Sequence, residues 1–344
     1  MREAAPKRVT AADIAREIGV SRATVGFVLN NTPGQTISEA TRQRVLDAAT
    51  RLGYRPHSAA RALASGRSQL VLLVLPDWPI EFSMRLYLEE AYRVLEDAGY
   101  ALVTATRHAG TGTRPLWESL NPDVVVGFHP FDADDVASMR ASGVGVIFPD
   151  PALPGDPGDI GTFAEGPRLQ ALHLHELGHR RLGFAAAPDL RVAALTEERA
   201  RLAQDAARAL DLPPLRVKTV DHRDGSARRA VEEWRAAGVT GVVAYNDDVA
   251  AEVVGAAVRA GVSVPAELAV IGHDDTPIAS VFVPTLSSVR VDHAAAGRLV
   301  AHLALHQADG RPLPAPLEPL DAVVVAREST LGPMTRAPAA TPMG

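Results

Sequence analysis

From Leu70 onward the chain alternates continuous apolar runs with amphipathic stretches, and this alternation restricts the possible folds more than any other feature. The runs are LVLLVLP from Leu70, ALVTAT at 101–106, DVVVGF at 123–128, GVGVIF at 143–148, RLGFAAA at 181–187, GVVAYN at 241–246 and LAVIGH at 268–273. A short apolar run without polar alternation reads as a strand covered on both faces, the condition of a parallel sheet. Helical patterns over 84–98, 134–142, 168–177, 197–210, 227–237 and 248–260 fall between them. Strand–helix alternation of this kind predicts an α/β fold with doubly wound parallel sheets. The strands are too many for one comfortable sheet, so two similar halves are expected. A ligand cleft then falls at the carboxyl ends of their strands.

Residues Val9 to Asn30, VTAADIAREIGVSRATVGFVLN, carry a different pattern. Ala15, Gly19 and Val25 are spaced by four and six. A small residue lets a second helix cross the first closely, a glycine makes the tight turn, and a branched apolar residue anchors the second helix. Ile14, Ile18, Val20 and Val28 supply the rest of the shared core. This is a helix-turn-helix, whose second helix lies in the major groove of DNA. Thr10 caps the first helix with Asp13 as its partner. Ser21 caps the second and places Arg22, Ala23 and Thr24 in its first turn. Asn30 to Gly34 is a loop by composition. A third helix runs from a Ser38 cap to Gly53, with Ile37, Val45, Leu46, Ala49 and Leu52 on its inner face. The segment Tyr54 to Gly66 has Pro56 to open a helix and Gly66 to close it. It is too short and too poor in apolar residues to stand alone, and is read as a helix formed only against a partner chain and DNA.

The overall formal charge of −6 alone argues against a nucleic-acid binder, but the charge is unevenly placed. Residues 1–67 hold eleven Lys and Arg against five acids, a local +6 that leaves −12 for the rest. A basic head on an acidic body fits a DNA-binding module joined to a non-binding domain. With 344 residues and 47% hydrophobic content, two or three domains with buried cores are expected. The absence of cysteine excludes disulfides, zinc–thiolate sites and cysteine nucleophiles. No apolar signal core or membrane-length run is found, so a soluble, cytoplasmic and nucleoid-associated protein is expected.

With these residues in view, the chain resembles the LacI/GalR family of transcriptional repressors over about residues 9–331. The helix-turn-helix stretch is followed by TRQRVLDAATRLGYRPHSAARALASGRS, then by HELGHRRLGF, YNDDVA, VIGHDDTPIA and the closing ARESTL, in family order. The resemblance implies a ligand-responsive repressor that binds double-stranded palindromic operator DNA as a homodimer. It also implies two periplasmic-binding-protein-like subdomains around a cleft for a small effector, a sugar being the family default. No cofactor, membrane contact or enzymatic activity is implied. The corresponding domains are 1–55 for the DNA-binding head, 56–67 for the hinge, 68–331 for the effector and dimerisation domain, with crossovers near 160 and 291, and 332–344 for a flexible tail. No heptad pattern follows Thr330, so a dimer is expected rather than a tetramer.

Carried over by position, Leu63 matches the hinge leucine that wedges between base pairs in the minor groove. Arg22 and Ala23 match recognition-helix positions that vary with operator. Position 27 usually holds an arginine that reads guanine; Phe27 offers only contact with thymine methyls or packing. Gly26 replaces a more usual serine, for which only close backbone approach offers a reason. Thr10, Ser21, Thr24, Asn30, Arg55, His57 and Ala60 complete the expected DNA contacts. In the cleft, Asp77, Asp150, Arg201, Asn246 and Asp274 match positions that bind sugar hydroxyls, and Trp78 and Phe82 are placed to stack on a sugar face. The chain departs from the family around 108–121, where a helix looks shortened, and near Gly225-Ser226, where an aromatic residue is missing.

Several residues admit two readings. Arg22 reads a base or clamps a phosphate; Arg8, Arg42, Arg44 and Arg55 contact phosphates or are solvated. His129 and His273, at strand ends, touch ligand or are structural, with His129 kept among the effector candidates. Asp274-Asp275 is a metal pair, a hydroxyl-binding pair or a helix cap. Trp117, Trp234 and Tyr54 read as packing residues. His175-Glu176-Leu177-Gly178-His179 formally matches the zinc-hydrolase pattern HExxH, with His173 nearby. Gly178 weakens the helix that pattern needs, and the stretch is better read as a helix running into a strand. The remaining alternative is a sugar-binding protein without DNA function, against which the basic head argues.

Overall fold

The computed structural model describes residues 9–29, 34–54, 67–107, 114–149, 162–315 and 320–332. Asn30, Arg55, His57, Ala60, Leu63 and Asp150, together with the hinge up to Gly66 and the tail beyond Gly332, lie outside the described residues. The chain divides into two units, one comprising residues up to Leu70 with 121–123, the other comprising the remainder.

The N-terminal unit has helices at Ala11–Ile18, Arg22–Leu29 and Glu39–Arg51. The first opens on a capping box. The Asp13 carboxylate accepts from the Thr10 backbone N–H at 2.9 Å and from the Thr10 hydroxyl at 2.7 Å, while the Asp13 N–H donates to Thr10 Oγ1 at 3.4 Å. Gly19, at φ 71°, closes that helix in the left-handed region, which a residue with a Cβ rarely adopts. Arg44 reaches back from the third helix and donates to the Ile18 carbonyl at 2.6 Å, satisfying an orphan acceptor of the first helix's end. Ile14, Ala15, Val25, Val28, Val45, Ala48 and Ala49 form the buried core, with Ile18, Val20, Ile37, Leu52 and Tyr54 packed against it. Leu46, expected on the inner face, is 40% exposed. Residues 45, 48, 49 and 52 already form one stripe, and residue 46 is turned about 100° away from residue 45.

The second unit contains two sheets. β1 (Leu70–Leu75), β2 (Ala101–Thr106), β3 (Val124–Gly127) and β4 (Val146–Phe148) form the first in the order β2-β1-β3-β4. β5 (Leu182–Ala186), β6 (Arg216–Thr219), β7 (Gly241–Ala244), β8 (Ala269–His273), β9 (Ser287–Val291) and β10 (Ala322–Val325) form the second in the order β10-β9-β8-β7-β5-β6. β10 runs antiparallel to β9, with Val323 opposite Arg290, while the other pairings of this sheet are parallel. β5, β7 and β8 are buried along their whole length, as their unbroken apolar sequences require. β6, RVKT, has no such run and lies at the edge, with Val217 52% exposed, so the apolar pattern could not announce it.

The chain passes between the sheets three times. After β4 it reaches the second sheet, where the Thr162–Glu176 helix packs on β7 to β10. After β9 it returns, and the His293–Asp309 helix lies against the Phe82–Asp97 helix of the first sheet. The third passage, between Asp309 and Ala322, is additional to the two expected near 160 and 291. The two helices meet closely at Gly297, where a Cβ would stand 2.1 Å from the Tyr87 carbonyl oxygen. Trp117 and Trp234 are each 1% exposed and donate their indole N–H to Ser138 Oγ and the Arg216 carbonyl, as packing residues with a satisfied polar tip.

Candidate functional site

In the N-terminal unit, the Ser21 hydroxyl accepts the Thr24 N–H at 3.0 Å and so caps the second helix. That cap leaves Arg22 and Ala23 exposed in the first turn, with Thr24 and Phe27 half-buried beside them. The other arginines described in this unit have partners. Arg16 pairs with Asp13, Arg42 with Glu39, Arg51 with Glu17 and Arg67 with Asp123, while Arg44 holds the Ile18 carbonyl. Arg22 alone among them has no ion-pair or hydrogen-bond partner among the described residues. At Gly26 an added Cβ would meet nothing within 4 Å, so nothing inside the unit explains the glycine.

In the second unit, a cavity of about 690 Å³, its open mouth included, lies where the two sheets direct their carboxyl ends. Its walls come from turns that follow strands. Trp78, Pro79 and Glu81 follow β1, Phe128 follows β3, Tyr245 follows β7 and Asp274 follows β8. These turns include both switch points of strand order, between β1 and β3 and between β5 and β7, where open α/β sheets hold ligands. Met84 and Tyr87 from the Phe82–Asp97 helix, Val192, Leu195 and Arg199 from beyond β5, and Val291, His293 and Ala296 from the second passage complete the wall.

Asp274 is the electrostatic centre. Its Oδ1 accepts from His273 Nδ1 at 2.7 Å, lies 3.3 Å from His293 Nε2 and stands 3.5 Å from Arg199 Nη2. Arg199 also donates to the Tyr245 carbonyl at 2.6 Å, with its guanidinium 4.7 Å from the centre of the Tyr245 ring. Burial opposes ionisation of Asp274, but the Arg199 charge and the histidine hydrogen bonds outweigh it and hold the carboxyl well below the usual carboxylate range. Burial and the Arg199 charge push His273 down to about 4, so the ring is neutral at pH 7 and donates through Nδ1. Its Nε2 is buried without a partner and faces Gly166, where a Cβ would stand 1.9 Å away. Asp274 and Asp275 have φ of 90° and 47°, a conformation that costs non-glycine residues about 1–3 kcal/mol each. Asp275 is held there by Arg290 at 2.8 Å and Arg327 at 2.6 Å, a structural role that accounts for both its oxygens.

The expected effector residues separate into groups. Trp78 and Asp274 line the cavity. Asn246 caps the Asp247–Arg259 helix by accepting the Val249 N–H at 2.9 Å, and its amide donates to Glu81 across the cavity mouth at 3.3 Å. His129 is exposed and packs edge-on against Trp78 with ring centres 5.8 Å apart. Asp77 is half-buried and outside the lining set, and Phe82 sits under the Arg85 guanidinium at 5.2 Å, also outside it. Arg201 is a correction. It lies on the outer face of the Ala193–Ala209 helix, 57% exposed and paired with Glu198 and Asp205. Two residues along a helix turn the side chain by about 200°, so it is Arg199 that faces inward. Thr196, Arg199 and Ala203 share one buried stripe of the helix, and because two of the three are polar or charged no apolar pattern in the sequence marks it.

Two further buried polar groups fix the frame. The Gln170 amide donates to the carbonyls of Ala244, Ile271 and Gly272, tying the ends of β7 and β8 to the Thr162–Glu176 helix. Asp247 accepts from Ser288 Oγ at 2.6 Å and from the Thr276 N–H and hydroxyl at 2.6 and 3.0 Å. Burial pushes its carboxyl up to about 7 despite those donors.

The HExxH stretch is not assembled for metal. The helix ends at Glu176 and Gly178 turns left-handed at φ 92°, so His179 is not stacked over His175. His173 bonds to Thr330 and His179 to Thr240. Among the described residues no group of three or more His, Cys, Asp or Glu is placed to hold a metal ion. No helix among them is long and apolar enough to cross a membrane.

Comparison with known proteins agrees with both units. Residues 10–57 match the lacI family of bacterial regulatory proteins, and residues 171–330 match the periplasmic binding protein-like domain. The transcriptional regulator GalR of Escherichia coli (strain K12) is 30% identical over 342 residues, covering 95% of this chain and 97% of that protein. The transcriptional regulator MalR of Streptomyces coelicolor is 32% identical over 330 residues, covering 88% and 91%. The crystal structure of the lac repressor dimer bound to operator and the anti-inducer ONPF superposes with a TM-score of 0.73 at 22% identity, covering 94% of this chain and all of that one.

A helix-turn-helix unit and a two-sheet, periplasmic-binding-protein-like unit on one chain define a class of DNA-binding transcriptional regulators, not of enzymes. Within that class, the chain belongs to the LacI family.

Proposed function

We propose that the protein is a repressor that binds a palindromic operator as a homodimer and is switched by a small polyhydroxylated metabolite held in the cavity between its two sheets. The observation that carries the DNA half is Arg22, exposed at the start of the second helix while the other described arginines of its unit are held by internal partners. A guanidinium presented in this way reads guanine or grips phosphate from the major groove. Ala23 and Phe27 offer only apolar contact, so direct reading rests on Arg22, with Ser21 and Thr24 holding the helix start and Thr10 holding the first helix. Dimer spacing and the expected Leu63 wedge supply the remaining selectivity.

The effector half rests on Arg199 and Asp274, a guanidinium and a carboxylate at one cavity wall with aromatic rings beside them. Such groups bracket vicinal hydroxyls, while rings cover an apolar sugar face. An effector acts only if it prefers one arrangement of the two sheets over the other.

Selecting genomic fragments with the full chain and titrating the recovered site by fluorescence anisotropy tests this reading. Operator binding is expected to fall steeply with salt. Arg22→Ala should narrow the ratio of operator to scrambled-site affinity roughly tenfold or more. An equal loss on both duplexes makes Arg22 a phosphate contact and overturns its reading role.

A further inference from the structure

The ionisable groups lining the cavity are unevenly matched. Arg199 is engaged by Asp274 and by the Tyr245 carbonyl, and Asp274 is engaged by Arg199, His273 and His293. Glu81, at the mouth, has no ion-pair partner among the described residues and accepts from the Asn246 amide at 3.3 Å. Partial burial and the charges of Asp248 and Asp274 push its carboxyl upward, while the Asn246 hydrogen bond and then the Arg199 charge oppose this less strongly. The next guanidinium, Arg191, feels the Glu81 charge but is held chiefly by both oxygens of Asp189, at 2.6 and 3.1 Å. Around Glu81 the site is therefore short of positive charge. The same wall carries Trp78, Tyr87 and Phe128, whose ring faces attract cations, while the Tyr245 ring is already taken by Arg199.

We infer that the cavity selects an effector with a protonated amine beside its hydroxyls, the ammonium bonding to Glu81 against the aromatic wall. This rests on the reading of the cavity as the effector site and names the chemical class that site takes. An anionic effector would bring another negative charge beside Glu81, Asp274 and Asp248. A neutral sugar would leave Glu81 with only ordinary hydroxyl donors. A hydroxylated amine, of which an amino sugar is the simplest, supplies the missing charge and uses Asp274 and Arg199 for its hydroxyls. A hydrogen bond between charged partners is roughly twice as strong as a neutral one.

Calorimetric titration of the full chain with matched pairs tests the inference: glucosamine against glucose, galactosamine against galactose, mannosamine against mannose, and each N-acetyl derivative as an uncharged control of greater bulk. The amine member of at least one pair should bind tenfold or more tighter than its neutral and N-acetyl counterparts. Glu81→Gln should bring that ratio close to one. Equal or tighter binding of the neutral member, or a ratio unchanged by Glu81→Gln, overturns the amine preference. Failure of every amine to bind overturns it as well. The cavity reading fails separately if whichever probe binds does so unweakened in Asp274→Ala, shown by circular dichroism to be folded.

Discussion

Arg22 and Arg199 are both arginines at the proposed working face of their unit, yet they are held in opposite ways. Among the described residues Arg22 is exposed and unpaired, on a three-helix unit whose buried core is Ile14, Ala15, Val25, Val28, Val45, Ala48 and Ala49. Arg199 is 5% exposed, matched to a carboxylate and a carbonyl, and embedded in a unit with two large cores. An exposed charge interacts through water and salt, so it changes how DNA is read without deciding whether the unit folds. A buried charge is desolvated, and its partner is part of the fold. The reading helix can thus vary at its surface, whereas the cavity is bound to its frame.

The strongest way to break this contrast is Asp274→Ala, which leaves the Arg199 guanidinium buried beside neutral groups. Stability should fall by about 3–5 kcal/mol, the usual consequence of stranding one member of a buried pair. Urea denaturation followed by tryptophan fluorescence measures this unit alone, because Trp78, Trp117 and Trp234 are the chain's three tryptophans and all lie in it. A loss below about 1 kcal/mol, the worth of a surface pair, would put Arg199 in the same category as Arg22.

The pH dependence sharpens the contrast next. Asp247 rises from 3.8 to about 7 on folding, so its contribution is complete below pH 4 and is lost as pH rises toward 7. His273 falls from 6.5 to about 4, so its contribution is complete above pH 6.5 and is lost as pH falls toward 4. The two oppose each other over one window, and the tryptophan-monitored stability of the natural chain should change little across it. Asp247→Asn removes one side of the balance, and stability should then drop by a few kcal/mol between pH 6.5 and 4. A flat profile in that variant would mean that His273 takes up its proton without penalty.

The smallest effect belongs to the head. Gly26 lies mid-helix with open space at its Cβ position, so Gly26→Ala should stabilise the N-terminal unit by about 0.5–1 kcal/mol in thermal melts followed by circular dichroism. Tryptophan-monitored unfolding should not move. If operator affinity falls while the unit gains stability, the glycine is required by close approach to DNA. If both rise, nothing about DNA requires it.

Much of the head was legible because each of its devices is local. Thr10 with Asp13, Gly19 and the spacing of Ala15, Gly19 and Val25 act within one or two helical turns, where a side chain's neighbours are fixed by periodicity. The strands read equally well where both faces are covered, as in β1, β5, β7 and β8. Legibility ended where the apolar run is broken or short: β9, SSVRV, was missed although it lies inside the sheet and is buried at four of its five residues. β6 and β10 lie at sheet edges with mixed exposure, and Leu46 is apolar but points outward. In the cavity, Trp78 and Asp274 were found from position, but Glu81, Tyr87, Phe128, Tyr245 and His293 were not. Each of these looks like ordinary helix or strand-end composition, and they converge only because two sheets bring residues 78 to 296 to one place. Position pointed to Arg201 alone because a match by position does not register a helix face, whereas the folded helix buries Thr196, Arg199 and Ala203 on one stripe.

The sequence by itself determined the helix pair, the doubly wound α/β class and the strand ends at which the cavity opens. These follow from short-range periodicity and from the rule that parallel sheets open at their carboxyl ends. Tertiary structure decided which charges meet. It turned Arg199 inward and Arg201 outward, made Asp274 the hub for two histidines, and left Glu81 with only an amide across the cavity mouth. The physical reason is distance: electrostatic matching acts over a few ångströms in space between groups as much as 165 residues apart in the chain, and no local pattern encodes that proximity.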